Sequence, residues 1–145
     1  MNNTSKTYKQ LINSIATIVA DVDGISKFKF SDFWDLGNSG DSGDYPLLHL
    51  LLPINKLRVK AGNQFNDQYS LEFTLVSNIA DDSTPEVEIT LIESIETIRN
   101  EFLTKLNQEY TVSELSENTI HKDTTDIVSG VQFTITLTTP SVKLC

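Results

Sequence analysis

The densest apolar stretch in the chain is residues 45–53, Y-P-L-L-H-L-L-L-P, which holds five leucines. Apolar residues at consecutive positions are typical of a strand that is covered on both faces. The length of the run between Pro46 and Pro53 suits a strand better than a helix. Proline has no N–H to donate to a sheet, so the two prolines mark where pairing starts and stops. The pattern therefore predicts a central strand here.

Two stretches have the three- and four-residue spacing of an amphipathic helix. The first covers residues 4–23, with Thr4 as its N-cap and Gly24 just beyond its C-terminus. The second begins near Ser83, which as N-cap forms a capping box with Glu86. Its apolar stripe consists of Leu91, Ile92, Ile95, Ile98, Phe102, Leu103 and Leu106. The sequence therefore predicts two helices, each with one apolar face.

Three further stretches have the two-residue alternation of a half-buried strand. Residues 25–36 are aromatic, with phenylalanines that alternate with lysines. Residues 69–75 and 131–137 alternate large apolar side chains with polar ones. Pro140 follows the last of these stretches and is expected to end it. The pattern predicts three strands, each with one face toward the core.

Residues 54–59 are expected either to extend the central strand or to form a separate edge segment, and the remaining segments are polar. Residues 37–44 and 60–67 are rich in Gly, Asn and Asp and are predicted to be flexible loops. Residues 112–125 are predicted to form a loop with one edge strand around residues 119–122. The tail, residues 141–145, is predicted to be loose. The first two loops are longer than ordinary hairpins need, and long loops often carry interactions.

The order of elements, helix, strands, helix, strands, predicts an α+β fold. We expect a mostly antiparallel sheet of about four to six strands packed with two amphipathic helices, in a single domain over residues 1–145. We expect the helices against one face of the sheet; if the central strand is covered on both faces, either the two helices lie on opposite faces or a neighbouring subunit covers one face. The residues expected in the core are Leu48, Leu50, Phe73, Ile95, Phe102, Phe133 and Ile135.

The acidic charge of the chain argues against a function in nucleic-acid binding. Its formal net charge is −9 and its sequence pI is about 4.5, so it has no electrostatic reason to hold DNA or RNA. We expect no signal peptide and no membrane span, because no apolar run approaches the roughly 18 residues that a span needs. The one cysteine, Cys145, allows no disulfide within the chain. This suits a reducing cytoplasm or a virus particle assembled in one.

Two patterns in and around the first polar loop match parts of functional sites. Gly40-Asp41-Ser42-Gly43 matches the G-D-S-G around the nucleophile of trypsin-like proteases, but no histidine precedes Ser42 and the chain is too short for that fold. The oxygen-bearing side chains of this region suit calcium, yet the EF-hand spacing is absent. Those side chains are Asp32, Asp35, Asn38, Asp41 and Asp44. A solvated polar loop explains both patterns better.

Histidines and carboxylates elsewhere lack the grouping that catalysis or metal binding needs. His49 lies in the apolar run and His121 in a polar segment, with no cysteine or second histidine nearby in sequence. His49 is therefore expected to be a core or interface histidine. Glu93 and Glu96 are expected to solvate the polar face of the second helix. We expect no enzymatic activity, no metal and no cofactor.

The order of these parts resembles a known class of proteins. An aromatic strand, a polar loop, a strand that begins Tyr45-Pro46-Leu47, an alternating strand, a long amphipathic helix and a final alternating strand follow one another. This order is similar to that of small acidic virion proteins of tailed phages, and of tail-terminator and tail-completion proteins in particular. The likeness covers most of the chain. It implies an α+β subunit of a ring at the head–tail junction.

The resemblance further implies a structural virion protein, assembled in the host cytoplasm, through whose ring DNA passes without sequence-specific binding. Its expected partners are copies of itself and neighbouring connector and tail proteins, with no membrane. The polar loops are the expected assembly elements, through Asn38, Ser39, Asp41, Ser42, Asp44, Asn63, Gln64, Phe65 and Asn66. The sequence leaves open a second class, a small acidic cytoplasmic binding protein of the inhibitor or immunity type that acts as a monomer or dimer.

Overall fold

The computed structural model describes residues 7–31, 45–52, 54–123 and 127–143. These residues form two helices and six strands. In chain order the elements are α1 (Tyr8–Ala20), β1 (Lys27–Ser31), β2 (Leu47–Leu51), β3 (Asn55–Ala61), β4 (Gln64–Asn78), α2 (Pro85–Glu109), β5 (Thr111–Asp123) and β6 (Val128–Lys143). The predicted α+β fold, a mostly antiparallel sheet packed with two helices, is confirmed.

The six strands form one sheet in which β4 is the central strand. The order is β1-β2-β4-β6-β5, and β3 also pairs with β4. β6 runs along one edge of β4, while the other edge pairs with β3 through residues 64–70 and with β2 through residues 73–76. Every pair is antiparallel except β1–β2, which is parallel. The prediction of a central strand at residues 45–53 is therefore wrong, because the longer β4 is the one that pairs with three strands.

β2 is nevertheless buried on both of its faces, as its unbroken apolar run predicts. Leu48 and Leu50 belong to the main core beneath the helices. Leu47 belongs to a second, smaller cluster with Val76 and Val128. Successive side chains of a strand point to opposite faces, so this second cluster lies on the face away from the helices.

Both helices lie on the same face of the sheet. Leu11 of α1 and Phe102 of α2 belong to one core. The ring of Phe73 packs at its centre, with its centroid 5.3 Å from the centroids of Phe102 and Phe133. Every residue predicted to lie in the core is buried, so that prediction is confirmed. The alternative with helices on opposite faces is wrong, because the apolar stripes of the two helices meet in one core.

α1 begins with a capping box of its own. Thr7 Oγ1 accepts a hydrogen bond from the Gln10 backbone N–H at 3.2 Å, and Gln10 Oε1 accepts one from the Thr7 N–H at 2.9 Å. The predicted N-cap, Thr4, lies outside the described residues. The helix ends at Ala20, short of the predicted limit at residue 23.

α2 begins one residue later than its predicted cap implies. The N-cap is Thr84, whose Oγ1 accepts from the Val87 N–H at 3.4 Å. Pro85 takes the first helical position, where its fixed φ and missing N–H suit a helix start. The prediction of Ser83 as the N-cap is therefore wrong, because Pro85 sets the point at which the helix begins.

The segment predicted to be a loop with one short strand, residues 112–125, is almost entirely strand as far as it is described. β5 pairs with β6 from Thr111 to Asp123, with two register shifts. Glu114 and Lys122, which have φ of 55° and 42°, lie at these shifts. The loop prediction is wrong because an edge strand in contact with solvent needs little apolar alternation.

β6 passes through Pro140 and continues to Lys143. Pro140 lies opposite Asn66, next to the register shift between Phe65 and Asn66 of β4. A strand tolerates proline at such an irregularity because the ladder is already interrupted there. Two predictions are therefore wrong. Pro140 does not end the strand, and residues 141–143, predicted to be loose, belong to β6.

Candidate assembly interface

The second polar loop predicted from the sequence, residues 60–67, is a β-hairpin in the structure. Pairing between β3 and β4 continues to Ala61 and Gln64, so Gly62 and Asn63 alone form the turn. Gly62 has φ of 64°, the left-handed conformation that glycine adopts without strain. Gly-Asn between two strand-like runs is a known hairpin signal, and it could have revealed this element. The loop prediction here is wrong.

Four of the predicted assembly residues lie within the described part of the chain. Asn63 is exposed in the turn, and Gln64 begins β4. Phe65 and Asn66 are half-buried beside the register shift. The others lie outside the described residues, namely Asn38, Ser39, Asp41, Ser42 and Asp44. The G-D-S-G motif and the side chains considered for calcium lie outside them as well.

β3 and residues 64–70 of β4 form a hairpin that we call the arm. Its outer strand carries Lys56, Arg58 and Lys60, which we call the basic row. Lys56 lies opposite Tyr69, a residue of the main core, so the basic row shares the face of the sheet that carries the helices. Positive side chains therefore line one face of the arm.

The other face of β3 is apolar. Leu57 is 61% exposed and Val59 is 36% exposed. Leu57 borders a shallow depression of about 250 Å³. The depression is also lined by Asn55, Lys56, Gln68, Tyr69, Ser70 and Thr136. β3 thus exposes apolar side chains that a strand within a core would bury.

One buried carboxylate holds two members of the basic row. Asp67 is fully buried, and Arg58 Nε donates to its Oδ1 at 2.9 Å. Lys56 Nζ lies 3.7 Å from the other carboxylate oxygen. The hydrogen bond to Asp67 raises the pKa of Arg58. Lys60 forms no ion pair with any described residue. The Arg58 guanidinium and the Lys56 ammonium share one carboxylate, so the three cations of the basic row keep a net positive charge.

Aromatic rings join the base of the arm to α1. Tyr8 of α1 packs edge-on against Tyr69, with ring centroids 6.0 Å apart. Lys56 Nζ lies 5.4 and 5.8 Å from the centroids of these two rings. Burial, together with the charge of Asp67, raises the pKa of Tyr69 to about 12. The arm is therefore anchored at its base while the side chains farther along β3 stay exposed.

α2 carries carboxylates on the side that points away from the sheet. Glu86, Glu93 and Glu101, which we call the acidic stripe, are exposed. Their spacing of seven and eight residues places them on one side of the helix, opposite its buried residues. Arg99 lies on the buried side and pairs with Glu117 of β5, so it does not neutralise the stripe.

A second polar cluster joins the start of α2 to the sheet. His121 Nδ1 lies 2.6 and 2.7 Å from the two carboxylate oxygens of Glu88. Ser129 Oγ donates to Glu88 Oε2 at 2.6 Å, and this bond lowers the pKa of Glu88 against the opposing effect of burial. The Lys122 backbone N–H donates to Ser129 Oγ at 2.9 Å. The sequence analysis missed this cluster because its members come from α2, β5 and β6.

This cluster does not have the geometry of a catalytic triad. Ser129 donates to Glu88 and is fully buried, whereas a nucleophilic serine would bond to the histidine. Lys122 Nζ donates to the carbonyl oxygens of Asp81 and Ser83, ahead of the helix. The contacts therefore fasten the first turn of α2 to β5 and β6.

His49 and the other polar groups of the described residues do not form a metal site. His49 is fully buried on β2, opposite Thr74, as expected of a core histidine. Among the described residues, no three His, Cys, Asp or Glu side chains converge as a metal site requires. No helix in that part of the chain is long and apolar enough to cross a membrane.

No protein-family model matches the chain, and no curated protein sequence matches it. An inference about function therefore depends on the geometry of the chain's own residues. Among the described residues, the arm and the acidic stripe are two surfaces that expose apolar or charged side chains.

Proposed function

We propose that this chain is a structural virion protein, a tail-terminator or neck subunit that forms part of an oligomeric ring at the phage head–tail junction. The observation that carries the proposal is the arm, which places a basic and partly apolar strand at one edge of an acidic subunit. A ring needs two different contact surfaces on each subunit, because each copy binds the next through unlike faces. The arm supplies one such surface.

The distribution of charge supports this proposal. Of the 11 Lys and Arg residues, Lys56, Arg58 and Lys60 lie within one short strand, while the chain as a whole has a net charge of −9. A local excess of positive charge on an acidic subunit attracts the acidic surface of another copy. The negative charge elsewhere keeps a passage for DNA non-adhesive. The proposed partners are copies of the chain and neighbouring connector and tail proteins.

β3 and β5 differ in how regular they are, and therefore in how readily a partner can pack along them. β5 contains two register shifts, at which Glu114 and Lys122 have positive φ, and such irregularities discourage the addition of another strand. β3 pairs with β4 in unbroken register from Asn55 to Ala61. Its regular geometry and exposed apolar side chains favour the arm, rather than β5, as the contact surface.

The decisive measurement is whether the protein is present in intact virus particles. We expect mass spectrometry of purified particles to detect several copies of the chain in each particle, together with other head–tail proteins, as a ring requires. If particles contain none of the wild-type protein, the proposal is overturned. The small acidic binding protein, of the inhibitor or immunity type, then becomes the remaining class.

A surface variant tests the role of the arm in assembly. Leu57→Ser removes an exposed apolar side chain from β3, and we expect a folded protein that enters particles at a reduced level. Leu115→Ser is the matched control, because Leu115 is 50% exposed on β5 while Leu57 is 61% exposed on β3. Equal incorporation of the two variants would show that the arm is not an assembly element.

A further inference from the structure

We infer that the basic row of one copy binds the acidic stripe of the next copy. This inference rests on the proposed function, since it names the two surfaces through which neighbouring subunits of the ring would meet. The basic row is Lys56, Arg58 and Lys60 on β3, and the acidic stripe is Glu86, Glu93 and Glu101 on α2. All six residues belong to described elements, and all six are exposed.

Charge complementarity is the first argument. Among the described residues, Asp67 is the carboxylate that pairs with members of the basic row, and it is shared between Lys56 and Arg58. Among the described residues, neither Lys60 nor any residue of the acidic stripe takes part in an ion pair. Each surface therefore carries charge that the described part of the chain does not balance. A second copy balances both, because its acidic stripe faces the basic row of the first copy and its basic row faces an acidic stripe.

The lengths of the two surfaces also agree. A strand rises about 3.3 Å per residue, so Lys56 and Lys60 lie about 13 Å apart along β3. A helix rises 1.5 Å per residue, so Glu93 and Glu101 lie about 12 Å apart along α2. Two positive and two negative charges can therefore face each other at the same time. Neither backbone has to bend to bring them together.

Contacts between identical surfaces are unfavourable. Two β3 strands paired in antiparallel fashion about Arg58 would place Lys56 opposite Lys60 and Arg58 opposite its own copy. Like charges directly opposite each other destabilise a strand pair. Two acidic stripes would repel in the same way. The chain's own charges thus direct each surface toward the unlike one, which is the kind of contact that a ring uses.

Charge reversal in the full-length chain tests the contact. We expect Lys60→Glu and Glu93→Lys each to weaken self-association by about tenfold or more, measured by sedimentation at low ionic strength. An equimolar mixture of the two variants should regain association, because each supplies the charge that the other lacks. Lys9→Glu is the control, since Lys9 is exposed on α1 and carries the same change of charge. A mixture no better than the single variants would overturn the inference.

Cysteine cross-linking applies even where the free protein associates weakly. In a Cys145→Ser background, a copy with Lys60→Cys is mixed with a copy with Glu93→Cys under mild oxidation. We expect these two to form a disulfide at least about tenfold faster than Lys60→Cys mixed with Asn118→Cys on β5, because contact raises the effective concentration. Asn118 is exposed like Glu93 but lies outside the acidic stripe. Equal rates for the two mixtures would contradict the inference.

The failure of this inference and the failure of the proposed function give different results. If the protein is present in particles but the Lys60–Glu93 cross-link does not form, the ring uses other surfaces. If the cross-link forms but the chain is absent from particles, the contact stands and the head–tail function is overturned. If the cross-link forms only within closed dimers, the contact again stands and the ring is excluded.

Discussion

β4 passes through two environments that differ in what covers them. In residues 71–76, the core-facing side chains Leu71, Phe73 and Leu75 are fully buried in the main core that both helices share. In residues 64–70, where Asp67 and Tyr69 are still fully buried, the strand pairs with β3, whose residues 55–60 are all exposed. Pairing with β6 accompanies both halves. The difference shows that strand pairing alone leaves β3 exposed, whereas the part of the sheet beneath the helices is buried.

The two halves are therefore expected to carry different roles. Burial of apolar surface stabilises a fold by about 25 cal/mol per Å², so the half beneath the helices dominates stability. The exposed side chains of the arm contribute little to folding and are available for association. Substitutions in the covered half should change the free energy of unfolding, and substitutions in the arm should change association.

The largest effect on stability is expected for Phe102→Ala, on the helix that covers residues 71–76 of β4. The Phe102 ring packs against Phe73 and Phe133, so its removal leaves a cavity and should cost about 3–5 kcal/mol in urea denaturation. Ile89→Ala on the same helix is the control, because Ile89 is 56% exposed and its loss should change stability by less than about 0.5 kcal/mol. A cost for Phe102→Ala below about 1 kcal/mol would contradict the assignment of stability to this half.

The next effect is expected for the cluster that fastens α2 to the sheet. Ser129→Ala removes a buried hydrogen bond to the Glu88 carboxylate and should cost about 1.5–3 kcal/mol at neutral pH. Ser116→Ala is the control, because Ser116 is exposed on β5. If the two variants have equal stability, the cluster does not hold α2 in place.

The same cluster predicts how stability depends on acid. The hydrogen bond from Ser129 lowers the pKa of Glu88 below its ordinary value of 4.5, so the folded state binds this proton more weakly than the unfolded state does. The resulting stability is present above about pH 4.5 and is lost as the pH falls through the lowered pKa. Ser129→Ala should flatten this acid dependence in thermal melts between pH 2 and pH 6. An unchanged acid dependence would contradict this account.

A smaller effect is expected at the junction between the two halves, in alkali. The pKa of Tyr69 is raised to about 12, so between about pH 10 and pH 12 the unfolded chain loses this proton while the folded chain keeps it. Stability should therefore fall across this interval. In an absorbance titration of the four tyrosines, Tyr69→Phe should remove one that ionises late. A titration curve whose late part is unaffected would indicate that Tyr69 is accessible to water.

The smallest effect on stability is expected in the arm. Leu57→Ser and Lys60→Glu should each change the free energy of unfolding by less than about 0.5 kcal/mol, because both residues are exposed. Urea denaturation of the same preparations used for association would check this. A cost of about 2 kcal/mol or more would place the arm within the folding core and remove the contrast between the halves.

Much of the fold could be read from local patterns along the chain. The apolar stripe of α2 and the alternation in β4 and β6 predict their type, because a helix or strand repeats every 3.6 or 2 residues whatever it packs against. The burial of Leu48 and Phe102 follows from the same patterns. Local signals were present but misread at two points, the turn at Gly62-Asn63 and the helix start at Thr84-Pro85.

Other features depend on partners that are distant in sequence. The polar sequence of β5 has no strand period, and it becomes a strand because β6 offers it an edge. The contact between Glu88 and His121 joins residues that are 33 positions apart. No spacing rule connects them, because the fold alone brings α2 against β5.

The apolar and polar periods of the sequence thus determine the type of α1, α2, β4 and β6 and the burial of their core-facing residues, since those properties come from the geometry of single elements. The tertiary structure decides that β4 is central, that both helices cover the same face and that β3 is left exposed. These outcomes depend on which edges and faces meet across the whole chain. The exposure of the basic row on an acidic subunit is one of them, because the positions of neighbouring elements, and not the residues of β3, determine whether a strand is covered.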